Sequence, residues 1–132
     1  MIDLDSFLEQ ISSLKLLYVE DNKEARESAL MLLDDLFDNI TIAVDGLDGL
    51  EKFKENEIDL IITDVSMPEM DGIEMSRAIK EIDKEMSIIV LSAITNISIK
   101  EEARDIGIDC FINKPIADID ILFNELEKIT NK

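Results

Sequence analysis

The sequence predicts an α/β fold in which a five-stranded parallel sheet carries helices on both faces. Short apolar runs of strand length alternate with segments whose apolar residues recur at helical spacing, and this alternation occurs five times. The strand segments are almost continuously apolar, as expected for strands that are buried on both faces. With 132 residues, 46% of them hydrophobic, the chain has room for one core of this doubly wound kind.

The predicted units follow one another along the chain, each a strand and then a helix. Their segments are 15–19 with 25–36, 40–44 with 47–56, 59–63 with 72–81, 87–91 with 98–106, and 110–113 with 118–130. Within the fourth unit, Ser98 followed by Glu101 has the spacing of a capping box. Gly107 stands where that helix should end, so both of its ends are marked in the sequence.

Residues 1–13 lie outside this pattern and form an N-terminal extension to the domain predicted at 14–132. Leu4, Leu8 and Ile11 recur at helical intervals, which indicates a short amphipathic helix. Two roles remain open for it. Either it packs on the domain or frays, or it contacts a second copy of the chain or another partner.

Composition excludes several classes of function. The net charge of −18 opposes direct binding of nucleic acid or anionic membranes. The apolar runs are too short to span a bilayer and the start does not resemble a signal peptide, so a cytoplasmic protein is expected. Without any histidine the chain cannot form a histidine-ligated zinc site, a serine-histidine triad or its own phosphohistidine. Cys110 is the single cysteine and is expected to be a small buried apolar residue.

Polar side chains stand where four of the predicted strands end. Glu20 and Asp21 follow the first strand, Asp64 the third, Ser92 the fourth and Lys114 the fifth. Ligands of open α/β sheets bind at the carboxyl ends of the strands, so these side chains are the candidates for a functional site.

Three carboxylates in one cleft require a cation, because two like charges ~4 Å apart repel by about 4 kcal/mol at a protein-surface dielectric. Lys114 supplies one positive charge, and a hard divalent ion such as Mg²⁺ would supply the rest. With an incoming phosphate neutralised in this way, Asp64 could act as a nucleophile and form an acyl phosphate. Ser92 could then donate a hydrogen bond to a phosphoryl oxygen.

Each of these residues also has a purely structural interpretation. Asp21 or Asn22 could cap the following helix, and Asp64 could be a turn residue. Ser92 could be a strand-end hydroxyl bonded to the backbone, and Lys114 a surface lysine. Their joint occurrence at successive strand ends favours a site.

These residues lie in motifs that resemble the receiver domains of bacterial response regulators, over about residues 14–128. The segment YVEDN at 18–22 is similar to the metal-binding end of the family's first strand. The segment IITDVSMPEMDG at 61–72 is similar to its phosphoacceptor strand and following loop. VLSA at 90–93 and KP at 114–115 match its switch hydroxyl and its lysine-proline pair.

The resemblance implies a flavodoxin-like receiver fold with strand order 2-1-3-4-5. It also implies that Asp64 accepts a phosphoryl group from the phosphohistidine of a sensor histidine kinase or a phosphotransfer protein. Mg²⁺, for which Mn²⁺ or Ca²⁺ can substitute, would be bound by Glu20, Asp21, Asp64 and the backbone carbonyl of Ser66. Lys114 would contact the phosphoryl group, and the chain would be a phosphoacceptor signalling module rather than an enzyme.

The resemblance further assigns a switch to Ser92 and Phe111. Ser92 would move toward the phosphate and Phe111 would turn inward, which would remodel the face made by the fourth and fifth helices of the βα units and the fifth strand. That face would contact a downstream effector protein, an attached output domain or a second copy in a homodimer. A stand-alone receiver and part of a longer regulator remain equally open.

Three other classes of protein and one simpler role are the alternatives. A phosphohydrolase resembling the haloacid dehalogenase family would have an acidic residue two positions after Asp64, where this chain has Ser66. A flavodoxin-like cofactor binder would need a glycine-rich loop in place of Glu20-Asp21. A degenerate receiver would signal without phosphate, and Phe111 could be a static core residue.

Overall fold

The computed structural model describes residues 3–67, 69–92, 97–108, 110–114 and 119–130. The strands are β1 (Lys15–Val19), β2 (Asn39–Ala43), β3 (Leu60–Asp64), β4 (Ser87–Ser92) and β5 (Cys110–Asn113). The helices are α1 (Leu4–Ser12), α2 (Lys23–Leu36), α3 (Gly46–Glu55), α4 (Gly72–Ile82), α5 (Ile97–Asp105) and α6 (Ile119–Thr130). The predicted alternation of strands and helices is confirmed.

All neighbouring strands pair in parallel, in the order β2-β1-β3-β4-β5. The predicted fold class and strand order are therefore confirmed. Along the central strands the register aligns Val19 with Thr63 and Asp64 with Leu91, and further along it aligns Ser92 with Asn113. The carboxyl ends of these strands consequently meet at one edge of the sheet.

The sheet separates two hydrophobic cores. One lies beneath α1, α2 and α6, on what we call the α2 face of the sheet, and includes Leu16 and Tyr18 of β1. The other lies beneath α3, α4 and α5, on the α4 face, and includes Leu17 and Val19 of the same strand. Side chains alternate between the faces along each strand, so a strand covered on both sides must be apolar throughout.

The N-terminal helix α1 packs on the α2 face. Phe7 and Ile11 are buried in that core, and the Phe7 ring meets the edge of Phe123 on α6 with centroids 5.8 Å apart. Two roles were left open for the extension, and the structure shows the first of them, packing on the domain.

Two details of the predicted elements had different outcomes. Gly107 follows α5 with a φ of 94°, the left-handed conformation that favours glycine at a helix end. Ser98 lies inside α5, which begins at Ile97, so the capping-box prediction is wrong in its register.

Cys110 is buried as expected. Among the helices described, none is both long enough and apolar enough to cross a membrane.

Candidate functional site

Strand alternation brings three of the candidate side chains to the same face of the sheet. Glu20, Asp64 and Lys114 each lie two residues beyond a buried residue of the α2 face, namely Tyr18, Ile62 and Ile112. They stand at the ends of β1, β3 and β5, at the edge where the parallel strands finish. Their meeting is thus a direct consequence of the apolar pattern in the strands.

Lys114 lies between two buried carboxylates. Its Nζ is 2.5 Å from Glu20 Oε1 and 3.2 Å from Asp64 Oδ2. Glu20 is fully buried and Asp64 is 8% exposed, so these ion pairs are shielded from water. Burial lowers the pKa of Lys114, but the hydrogen bond to Glu20 and the charges of Asp64 and Glu20 outweigh it and raise that pKa above 10.5. The ammonium is therefore charged at neutral pH.

Asp21 completes a cluster of three carboxylates. Oxygen atoms of Glu20, Asp21 and Asp64 all lie within 4.8 Å of one another, with Asp21 exposed to solvent. Desolvation raises the pKa of Asp21, and the hydrogen bond and charge of Glu20 raise it further. Among the described residues, one ammonium, that of Lys114, contacts two of these three carboxylates, so their negative charge exceeds its positive charge.

The donor set suits a hard divalent cation such as Mg²⁺. Its oxygen atoms are carboxylates, one of them open to solvent, which leaves room for the waters that Mg²⁺ retains. Ser66, the fourth predicted ligand, lies in the loop after β3. It lines a cleft of about 540 Å³ together with Asp21, Val65 and Met67. The structure therefore brings Ser66 to the solvent side of the cluster.

Helix capping leaves Asp21 available to this cluster. Asn22 is the N-cap of α2, where its Oδ1 accepts a hydrogen bond of 2.9 Å from the Ala25 N–H. The capping role that the sequence allowed for either residue thus belongs to Asn22.

Arg26 is a contributor that the sequence reasoning missed. Its Nη1 donates a hydrogen bond of 2.9 Å to the Glu20 backbone carbonyl, from the first turns of α2. The contact ties the end of β1 to the helix. The sequence did contain a signal for this contact, because Arg26 is a cation four residues after the N-cap Asn22 and close to the acidic end of β1.

Asp64 accepts hydrogen bonds from both of its neighbours in the chain. Its Oδ1 accepts a hydrogen bond of 2.8 Å from the Val65 N–H, and its backbone carbonyl accepts one of 2.9 Å from the Thr63 hydroxyl. The loop after β3 ends at Gly72, the first residue of α4, whose N–H donates a hydrogen bond of 2.8 Å to the Val65 carbonyl. A Cβ at Gly72 would lie 2.0 Å from the Asp64 carbonyl oxygen, so only glycine allows this approach.

The two predicted switch residues lie on the α4 face. Ser92 and Phe111 alternate with residues of the α2 face, and Phe111 packs at the margin of the α4-face core. The Ser92 carbonyl accepts a hydrogen bond of 2.9 Å from the Lys114 N–H, so the switch strand and the lysine are directly joined. The motif residues Pro68, Ala93 and Pro115 lie outside the described residues.

The comparisons with known proteins agree with this geometry. A family model described as the response regulator receiver domain matches residues 16–126. The chain belongs to this family. The match begins after α1 and ends within α6, so the receiver region includes every candidate site residue.

Named relatives of this receiver support the same assignment. Response regulator MprA from Mycobacterium sp. (strain KMS) is 31% identical over 103 residues, which are 78% of this chain and 45% of that protein. The receiver therefore spans less than half the length of that relative. A response regulator receiver domain protein from Clostridium thermocellum aligns with a TM-score of 0.80 and 27% identity, covering 89% of this chain and 94% of the other. The CheX-CheY-BeF3-Mg+2 complex from Borrelia burgdorferi gives a TM-score of 0.78 at 27% identity, covering 90% of each chain.

Proposed function

We propose that this receiver accepts a phosphoryl group on Asp64 from the phosphohistidine of a sensor histidine kinase or phosphotransfer protein, in the cytoplasm. The observation that carries the proposal is the contact of the Lys114 ammonium with Asp64 inside a cluster of three carboxylates. Receivers of this family share such an acidic pocket, and the Borrelia relative was solved with Mg²⁺ and BeF3. These 132 residues contain no histidine, so the donor imidazole must lie outside them.

In the proposed step, an Asp64 carboxylate oxygen attacks phosphorus while the phosphorus–nitrogen bond of the donor breaks. The bonding electrons leave with the imidazole nitrogen, which takes a proton from solvent, and an aspartyl phosphate remains. Lys114 lies where it would pair with a phosphoryl oxygen, and the Val65 N–H holds the carboxylate in position. Glu20, Asp21, Asp64 and the Ser66 carbonyl would hold Mg²⁺, which when bound supplies the charge that offsets the phosphoryl oxygens.

The proposed output is a change of the surface made by α5, β5 and α6. A phosphoryl group at Asp64 would attract Lys114 and Ser92, which are already joined by the hydrogen bond between the Lys114 N–H and the Ser92 carbonyl. Movement of Ser92 would open space for Phe111 on the same face of the sheet. The remodelled surface would contact an effector protein, an attached output domain or a second copy. The chain is then a phosphoacceptor module and has no substrate to turn over.

Phosphorylation by a small acyl phosphate tests this proposal. Incubation with acetyl phosphate and Mg²⁺ should add the mass of one phosphoryl group, measured by intact mass spectrometry. Asp64→Asn should remain unmodified, and chelation of the metal should suppress the adduct on the wild type. The matched control Asp105→Asn changes an exposed carboxylate at the end of α5 and should be phosphorylated normally. An adduct of equal yield on Asp64→Asn would refute the assignment.

Tyr18 provides a test of metal binding that is independent of phosphorylation. It is the only tyrosine in a chain without tryptophan, and it is 1% exposed on β1, two residues before Glu20. Burial and the charges of Glu20 and Asp64 raise the pKa of its hydroxyl, so a change of charge in the carboxylate cluster should alter the surroundings of the ring. We expect Mg²⁺ to change the tyrosine fluorescence in a saturable way.

Asp21→Asn should weaken the affinity for Mg²⁺ in this titration by about tenfold or more, because it removes one carboxylate ligand. Asp105→Asn should leave the affinity unchanged, and Tyr18→Phe should abolish the fluorescence signal. Equal affinities for the wild type and Asp21→Asn would mean that the metal binds elsewhere on this acidic chain.

A further inference from the structure

We propose that Lys100 is a positioning residue that holds the ring of Phe111 in its half-buried orientation through a cation–π contact. In this way Lys100 would set how readily the surface of α5, β5 and α6 responds to phosphorylation. The regulatory part of this inference rests on the function proposed above. The positional part concerns the unphosphorylated protein and stands on the structure alone.

The geometry is that of a cation–π pair. Lys100 lies near the start of α5 and its Nζ is 5.7 Å from the centroid of the Phe111 ring on β5. Attraction between an ammonium and an aromatic face is effective within about 6 Å. Both side chains are half-buried, so the ammonium is partly removed from competing water.

Lys100 makes this contact in place of an ion pair. The chain has 31 acidic residues against 13 basic ones, so a lysine with a carboxylate partner would be the ordinary outcome. In the described part of the chain, the Lys100 ammonium pairs with no carboxylate within 4.0 Å. Its neighbour Glu102 instead pairs with Arg77 at 3.1 Å. The aromatic ring is therefore the main electrostatic partner of Lys100.

Phe111 depends on such a contact because it has no hydroxyl. Hydrogen bonds cannot fix its orientation, and among the described residues the contacts that do so are packing at the margin of the α4-face core and the Lys100 ammonium. A ring that turns inward on that face moves out from under the ammonium. Loss of the contact should therefore favour the inward orientation by about two- to five-fold in population.

The test uses fluorine NMR of the full chain labelled with 4-fluorophenylalanine, with the Phe111 signal assigned by its loss in Phe111→Leu. Lys100→Met keeps the length of the side chain and removes the charge, while Lys100→Arg keeps the charge. Lys84→Met removes one positive charge from an exposed site and serves as the control. Spectra are compared first without phosphorylation and then with Mg²⁺ and beryllofluoride.

We expect the Phe111 resonance of Lys100→Met to shift from the wild-type position toward the one that the wild type adopts with Mg²⁺ and beryllofluoride. Lys100→Arg should stay close to the wild type and Lys84→Met should not shift. An unshifted Lys100→Met spectrum, or an equal shift in Lys84→Met, would overturn the role of Lys100.

Failure of the proposed function would look different. In that case no variant would gain a phosphoryl group by intact mass, and beryllofluoride would leave every spectrum unchanged. The comparison of Lys100→Met, Lys100→Arg and Lys84→Met without beryllofluoride would still decide the positional role: a Phe111 shift confined to Lys100→Met supports it, and any other pattern overturns it.

Discussion

Replacement of Lys114 by methionine should lower the free energy of unfolding of the metal-free protein by about 3 kcal/mol or more. The ammonium is the partner of both Glu20 and Asp64, and these two carboxylates are almost completely buried. Without it, the buried carboxylates of Glu20 and Asp64 would face each other and Asp21 without the cation that pairs with both of them. Loss of one partner of a buried ion pair leaves an uncompensated charge, which is far more destabilising than loss of an exposed pair.

Urea unfolding of Lys114→Met with EDTA and with Mg²⁺ measures this effect. Mg²⁺ should restore more stability to Lys114→Met than it adds to the wild type, because it supplies the missing positive charge. Lys23→Met is the matched control, since its 4.0 Å pair with Glu27 is exposed on both sides, at 77% for the lysine and 65% for the glutamate. The control should change stability by less than about 0.5 kcal/mol. Equal losses in both variants would mean that Lys114 does not balance the cluster.

Replacement of Gly72 by alanine should lower the free energy of unfolding by about 2–3 kcal/mol and impair phosphorylation. The new Cβ would be 2.0 Å from the Asp64 carbonyl oxygen and 3.2 Å from the Val65 Cα. Both are backbone atoms of the segment that carries the acceptor, so no side-chain rotation relieves the clash. The start of α4 would have to move away from the end of β3, and Asp64 would shift with it.

Gly49→Ala is the matched control for this substitution. Its Cβ would meet the Met75 sulfur at 2.6 Å and the Val19 Cγ2 at 3.1 Å, which are side-chain atoms and not backbone atoms, and the Met75 side chain is flexible. Alanine also has the higher helix propensity, by up to about 1 kcal/mol, so the loss of stability should be smaller than at Gly72. Urea unfolding midpoints and phosphorylation yields of the two variants compare a backbone clash with a side-chain clash. Similar values for both would contradict the proposed fit at Gly72.

The fold and the strand-end residues could be predicted because one property determines both. Buried parallel strands require apolar residues on both faces, so a polar residue after such a run marks the end of the strand. Parallel pairing then brings Glu20, Asp64 and Lys114 to one edge. These two features, polar residues at the strand ends and parallel pairing of the strands, were enough to predict a carboxylate cluster near Lys114.

Other features depend on tertiary contacts that leave little trace in the sequence. Arg26 reaches the Glu20 carbonyl only because of the angle at which α2 leaves β1. The 5.7 Å contact of Lys100 with Phe111 joins two residues that lie eleven positions apart along the chain, one on α5 and the other on β5. The prediction placed the start of α5 at Ser98, whereas the helix begins at Ile97, because the Ser98–Glu101 spacing also fits the interior of a helix. Local spacing alone does not determine such contacts.

The location of the phosphoryl group within the phosphorylated chain tests the central assignment most directly. Borohydride reduces an aspartyl phosphate to homoserine, which peptide mass spectrometry detects at a single position. After treatment with acetyl phosphate and Mg²⁺, we expect homoserine at position 64 and no conversion when Mg²⁺ is withheld. Homoserine at any other aspartate, or a phosphoryl adduct that yields no homoserine at position 64, would contradict the role of Asp64 as the acceptor.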